Sequence, residues 1–215
     1  EKYDLTKKIS KNIIKHLQLG TDTAVKDTPN LKSGFFSNVK NTIICSNRIF
    51  KQKLAERAEL DGYKTFILKN NFEGEAKNEA HELIKIFLEK LEKSNLKKFA
   101  IISGGETVVK LKGDGLGGRN QEFALSFLSH YKSIPKDINW LLLSVGTDGV
   151  DGPTDAAGGI IDKLSIQNYM NSNLNIKSYL DNNDSNNFLN KIDSIYKTGP
   201  TGNNIADIQI ILVDN

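Results

Sequence analysis

Leu5, Ile9, Ile13 and Leu17 recur at four-residue steps, which predicts an amphipathic helix over residues 5–18 with Gly20 as its stop. Residues 20–38 are polar and turn-rich and read as a connecting loop. The hydrophobic pattern then becomes a series of short runs. Asn41–Cys45 (NTIIC) reads as an apolar strand, and a helix from Ser46 to about Leu60 follows. Asp61-Gly62 turns the chain into a strand at Tyr63–Leu68. A second helix over about 74–93 places Ala76, Ala80, Leu83, Ile84, Phe87 and Leu91 on one face, before a strand at Phe99–Ser103. Strands alternating with helices predict βαβ units, hence an α/β fold whose sheet is mostly parallel or mixed and is flanked by helices.

Beyond residue 103 the rhythm changes. Thr107–Lys112 (TVVKLK) alternates as a half-exposed strand would. Gly113–Gly118 holds four glycines and must be a loop; Asn120–Tyr131 reads as a helix with Phe123, Ala124, Phe127 and Leu128 inward. Trp140–Ser144 (WLLLS) is a buried strand, and Asp207–Val213 (DIQIILV) is the last one. The Asn- and Asp-rich stretch 171–187 reads as a solvated connection without a function.

Composition narrows the function classes only a little. The chain of 215 residues is 38% hydrophobic and 26% charged, ordinary for a globular protein of one large or two small domains. A net charge of +3 is too even to imply nucleic acid, and no apolar window is long enough to span a membrane. The single cysteine, Cys45, has no partner for a disulfide or zinc site, reads as a buried hydrophobe in its strand, and points to an intracellular, cytoplasmic setting. The Lys-rich start shows no signal-peptide pattern, and the absence of an initiator Met suggests a partial chain. His16, His81 and His130 fall on or near helices and read as surface residues.

The candidate chemistry lies in four loops rich in Gly, Asp, Ser and Thr: Ser103–Thr107 (SGGET), Gly113–Glu122 (GDGLGGRNQE), Gly146–Asp155 (GTDGVDGPTD) and Thr198–Asn204 (TGPTGNN). Most follow a predicted strand, where ligands of open α/β sheets bind. Gly113, Gly115 and Gly118 fit G-x-G-x-x-G, but the alternating strand before them fails the dinucleotide context. A Walker A reading fails too, because Arg119-Asn120 stands where Lys-Ser/Thr belongs. Arg119 survives: a guanidinium at a helix start can grip a carboxylate or phosphate in a fork, with the helix amides adding donors. Asp148, Asp151 and Asp155 fail the EF-hand spacing but could supply the one or two carboxylates that Mg²⁺ uses, or a proton acceptor.

Taken in order, SGGET, GxGxGGRNQE, GTDGxDGPTDAAG and TGPTGxN closely resemble the C-terminal MOFRL domain of the class II glycerate kinases, whose bacterial members are often labelled hydroxypyruvate reductases. Upstream, IICSNRIF, DGYKTFIL and FEGEA resemble the end of that family's N-terminal region. The resemblance implies the C-terminal part of a two-domain enzyme, with residues 1–96 closing the N-terminal region and 97–215 forming the MOFRL domain. It implies transfer of the ATP γ-phosphate to the 2-hydroxyl of D-glycerate with Mg²⁺. Arg119 and Asp148 would be catalytic, and Asp148 and Asp151 would hold metal. Ser103, Gly104, Gly105, Glu106, Thr107, Gly117, Gly118, Asn120 and Glu122 would bind substrate or phosphate. The partners implied are glycerate, ATP and the missing N-terminal domain, which carries an active-site lysine, so this chain alone would be inactive; a homodimer is compatible with it. Two other readings stand beside this one: a hydroxypyruvate reductase, and a non-catalytic module binding a phosphorylated ligand or a partner.

Overall fold

The computed structural model describes residues 5–30 and 32–215. The chain divides into two compact units, Glu1–Ile43 and Ile44–Asn215.

In the first unit a 3₁₀ turn at Leu5–Lys7 precedes helix α1 (Lys11–Thr21). The helix starts later than its hydrophobic spacing predicts because the Ser10 hydroxyl takes the capping position, accepting from the Asn12 amide at 3.3 Å. Gly20 sits inside the last turn, and Asp22 ends the helix. Leu5, Ile13 and Leu17 are exposed, so the amphipathic face is present but uncovered.

The strand expected at Asn41–Cys45 does not form. Ile43 and Ile44 are 77% and 89% exposed, and Cys45 is exposed as well. Among the described residues no strand pairs with this run, and a β-branched sequence without a ladder has nothing to hold it extended.

The second unit is built on one six-stranded sheet. In chain order its elements are α2 (Asn47–Leu60), β1 (Lys64–Ile67), α3 (Ala76–Lys93), β2 (Lys98–Gly105), α4 (Arg119–Leu128), β3 (Trp140–Gly146), β4 (Gly158–Asp162), α5 (Lys163–Met170), α6 (Ile176–Asp181), α7 (Ser185–Lys191), β5 (Ile195–Tyr196) and β6 (Asp207–Asp214). The strand order is β1-β2-β6-β3-β4-β5. Of the two arrangements expected, the mixed one is found: β1 and β2 are parallel, and every other pairing is antiparallel. The reason is β6, which returns from the chain end to lie between β2 and β3 and runs against both. Residues on both sides of position 96 share this sheet, since β1 pairs with β2.

The helices bury the face expected of them. Ala76, Ala80, Leu83, Ile84 and Phe87 of α3 are buried, and Phe87 packs on Phe99, Phe127 and Trp140 at ring separations of 6.1–6.5 Å. The stretch 107–112 is not a strand: Val108 makes an isolated bridge to Glu75, and Val108 and Leu111 are exposed. The Asn-rich stretch is not a simple surface connection either. It contains α6 and leads into α7, which places Phe188 and Leu189 in the core. Among the described residues no helix is long and apolar enough to cross a membrane.

Asp207 pairs with Gly105 on one side and with Gly146 on the other. The end of β2, the start of β6 and the end of β3 therefore lie side by side on one edge of the sheet. All four chemistry-bearing loops converge on or near this edge.

Candidate active site

Arg119, the first residue of α4, reaches across the edge to Asp207. Its Nε donates to Asp207 Oδ2 at 2.7 Å and its Nη2 to Oδ1 at 3.0 Å, a two-pronged fork. Nη2 also lies 3.4 Å from Glu106 Oε1. The three side chains form a gradient of exposure, from Asp207 at 0% through Arg119 at 32% to Glu106 at 63%. Asp207 thus anchors the guanidinium from inside while its outer edge faces solvent; among the described residues no group accepts from Nη1. The hydrogen bonds that Arg119 donates to Asp207 hold its pKa above the usual value. Burial raises the Asp207 pKa above its ordinary value, and the Arg119 fork pulls against that rise. Asp207 had appeared in the sequence only as the first residue of a strand.

Ser103, Gly104 and Gly105 support this edge from behind. Ser103 is fully buried and donates toward Gln209, and Thr107 is buried too. A side chain at Gly104 would strike the Asn47 amide group, and one at Gly105 would strike the backbone of Phe72. Gly105 also has φ +149°, so its glycine answers a close strand approach rather than a ligand.

The N-terminus of α4 is already filled. Asp151 is buried, and its Oδ1 accepts from the Asn120 amide at 3.0 Å and from Asn120 Nδ2 at 3.3 Å. Its Oδ2 accepts from the Gln121 amide and from Gln121 Nε2, both at 2.9 Å. The cap residue Gly118 has no side chain to offer, and any side chain there would collide with Asp151. Two expectations change as a result. The helix amides face a carboxylate of the protein itself, not a substrate anion, and Asp151 has both oxygens committed to donors, which leaves it a poor metal ligand. Asn120 is likewise internal, accepting from Ser144 Oγ at 2.9 Å.

The glycine-rich loop before α4 is a packing loop. The amides of Lys112 and Gly113 donate to Asn183 Oδ1 at 2.7 and 3.1 Å, Gly115 donates to the Asn182 carbonyl, and Leu116 donates to Asp184 Oδ1. Gly115 and half-buried Gly117 lie so close to residues 182–185 that a Cβ on either would collide with them. Glu122 faces the same interior. Its Oε2 accepts from Asn183 Nδ2 at 3.0 Å, Oε1 has no hydrogen-bond partner among the described residues, and Lys77 Nζ stands 3.8 Å from it. Burial raises its pKa above the ordinary Glu value. A carboxyl with a raised folded pKa is fully accommodated below the unfolded pKa and costs stability as pH rises through the folded one. Glu122→Gln is therefore expected to match the wild type near pH 4 and to gain stability over it progressively toward pH 8. Urea unfolding at both pH values checks this, and a constant difference between them would show that Glu122 is not a strained carboxyl.

Asp148 stands apart from this buried network. It is half-buried, and among the described residues its two oxygens accept only from neutral donors, the Val150 amide at 3.2 Å and Asn204 Nδ2 at 3.3 Å. Its loop is knitted to residues 198–206 by Thr201 Oγ1 donating to the Thr147 carbonyl at 2.6 Å and Thr147 Oγ1 donating to the Ala206 carbonyl at 2.7 Å. Asp155 is exposed and paired with Lys197 at 2.6 Å. Among the described residues no three His, Cys, Asp or Glu side chains gather as a metal site. Mg²⁺ nevertheless needs only one or two carboxylates beside phosphate oxygens and water, and Asp148 fits that demand where Asp151 does not.

The edge therefore gathers Arg119, Glu106 and Asp207, with Asp148 two residues beyond the end of β3. Ser103, Thr107, Asn120 and Glu122 lie behind them. The fold is α/β, and this edge is made from loops at the ends of antiparallel strands. The MOFRL family model matches residues 99–207, and the chain belongs to that family. It is 34% identical to the glycerate 2-kinase of Pyrococcus horikoshii, over 99% of this chain and 48% of that protein. It is 40% identical to the D-glycerate 2-kinase of Thermotoga maritima over 179 residues, 82% of this chain and 42% of that protein. A crystal structure of glycerate kinase from Thermotoga maritima superposes with a TM-score of 0.77 at 34% identity, covering 92% of this chain and 49% of that one. The chain thus spans about half the length of the curated relatives it matches.

Proposed function

We propose that this chain is the C-terminal half of a glycerate 2-kinase, with residues 1–96 closing the N-terminal region and 97–215 forming the MOFRL domain. The observation that carries the reading is Arg119, fixed by a buried carboxylate on one edge and open to solvent on the other. In the reaction the 2-hydroxyl oxygen of D-glycerate attacks the γ-phosphorus of ATP. The bond from that phosphorus to the β–γ bridging oxygen breaks, and ADP, 2-phosphoglycerate and a proton result. Arg119 grips the glycerate carboxylate or the moving phosphoryl oxygens, and Asp207 keeps its fork in register. Asp148 accepts the hydroxyl proton or holds Mg²⁺. When bound, the ion neutralises phosphate charge. Little covalent chemistry is asked of the protein; positioning and charge suffice. The packing of the Gly113–Gly118 loop against residues 182–185 gives no support to a nicotinamide cradle, so the reductase reading gains nothing from it.

The test is ATP- and D-glycerate-dependent ADP release by this chain, alone and mixed with the N-terminal half of the enzyme. Turnover in the mixture only is the expected result. A folded mixture that binds glycerate and ATP without transfer would leave a binding module instead.

A further inference from the structure

Outside this group of residues, His81 of α3 meets His130, two residues past the end of α4. Nδ1 of His81 and Nε2 of His130 are 3.1 Å apart. The proton positions follow from the neighbours. His130 Nδ1 lies 3.0 Å from the Ser126 carbonyl and 3.0 Å from Ser129 Oγ. Ser129 Oγ gives its own proton to that same carbonyl at 2.6 Å. Both neighbours of His130 Nδ1 are thus acceptors, so Nδ1 carries the hydrogen and Nε2 presents its lone pair toward His81.

We propose that His81 and His130 form a two-imidazole site for a borderline divalent transition-metal ion such as zinc, joining α3 to the end of α4. A metal-ligating histidine characteristically donates its other ring N–H to a backbone carbonyl, which fixes its tautomer, and His130 is held in this way before any ion arrives. The separation also fits. With metal–nitrogen bonds of about 2.0–2.1 Å, two nitrogens 3.1 Å apart subtend about 95–102° at a shared ion. That lies between the square-planar and tetrahedral angles these metals adopt. His81 needs only to move its ring proton from Nδ1 to Nε2 to free the second lone pair. His81 is exposed and His130 half-buried, so ion and water can enter. Glu82, the acid next to His81, is engaged by Lys85 at 2.7 Å. Water completes the coordination, which makes the site an exchangeable one.

The experiment is calorimetric titration of the full 215-residue chain with zinc chloride, repeated on His81→Gln, His130→Gln and His16→Gln, each first shown by circular dichroism to keep its helix content. One zinc per chain is expected, with binding weakened more than about tenfold in each of the first two variants and unchanged in the third. No zinc uptake by the wild type overturns the proposal. So does uptake that survives both His81→Gln and His130→Gln, or that is lost in His16→Gln. His81 is on the surface, so His81→Gln remains informative even if His130→Gln disturbs the end of α4.

Discussion

Arg119→Ala, assayed with the N-terminal half present, is expected to lower kcat/KM for D-glycerate by about 10²–10³-fold, the effect typical of deleting one preorganised donor to developing charge. Arg119→Lys is expected to recover little, because a single ammonium cannot hold both Asp207 oxygens at 2.7 and 3.0 Å and still face a substrate. Arg119→Ala carries a second signature. Asp207 is fully buried, and its pKa is already raised by burial with the guanidinium pulling against that rise. Without Arg119 the folded pKa goes higher. The variant should then be nearly as stable as the wild type below the unfolded Asp pKa and lose stability as pH rises through the folded value. The loss should fall short of the ~3–5 kcal/mol seen when fully buried pairs are broken, since Arg119 is a third exposed. Urea unfolding at about pH 3 and at pH 7.5 measures it. Unchanged turnover would remove Arg119 from the chemistry, and a pH-independent stability loss would remove Asp207 as its anchor.

Asp151→Ala is expected to be the most destabilising single change at the site, by about 3–4 kcal/mol. Losing a helix cap costs about 1 kcal/mol. The amides of Asn120 and Gln121 and the Asn120 side-chain NH₂ group would then lose this acceptor in a buried position, at about 1–3 kcal/mol for each group that water cannot reach, whereas Gln121 Nε2 keeps the residue-151 carbonyl and Thr154 Oγ1. Asp148→Ala, which removes two long hydrogen bonds from a half-buried side chain, should cost less than about 1 kcal/mol while lowering turnover. Thermal unfolding of the pair separates the roles. If the two variants lose similar stability, Asp151 is not the cap of α4. If Asp148→Ala keeps full activity, the metal or base role passes elsewhere on the edge.

Much of this was legible in the chain. The faces of α3 and α4, the buried strands β2, β3 and β6, and the four loops with Arg119 and Asp148 all follow from local periodicity and local composition. Those features report which residues avoid water and which backbones must turn. The order of the family's motifs was legible as well, because it is a property of the sequence alone.

Other features were invisible for a physical reason: they depend on pairings between residues far apart in the chain. Asp207 anchors Arg119 from 88 positions away. Asp151 caps a helix that begins 32 residues before it, and the Asn182–Asp184 turn packs the glycine loop from about 70 positions downstream. Nothing in the local pattern of an Asp distinguishes a helix cap from a metal ligand, since both are carboxylates in glycine-rich turns. The folded chain separates the two acids: Asp151 is buried with both oxygens on the first residues of α4, and Asp148 stays half-buried outside that network. The sequence alone thus determined the faces of α3 and α4, the strands β2, β3 and β6, the family and the residues able to do chemistry, but not the course of residues 41–45, 107–112 and 171–187. The tertiary structure decided which of those residues hold the site together and which are free to act, because that choice rests on burial and hydrogen-bond partners that only the folded chain creates.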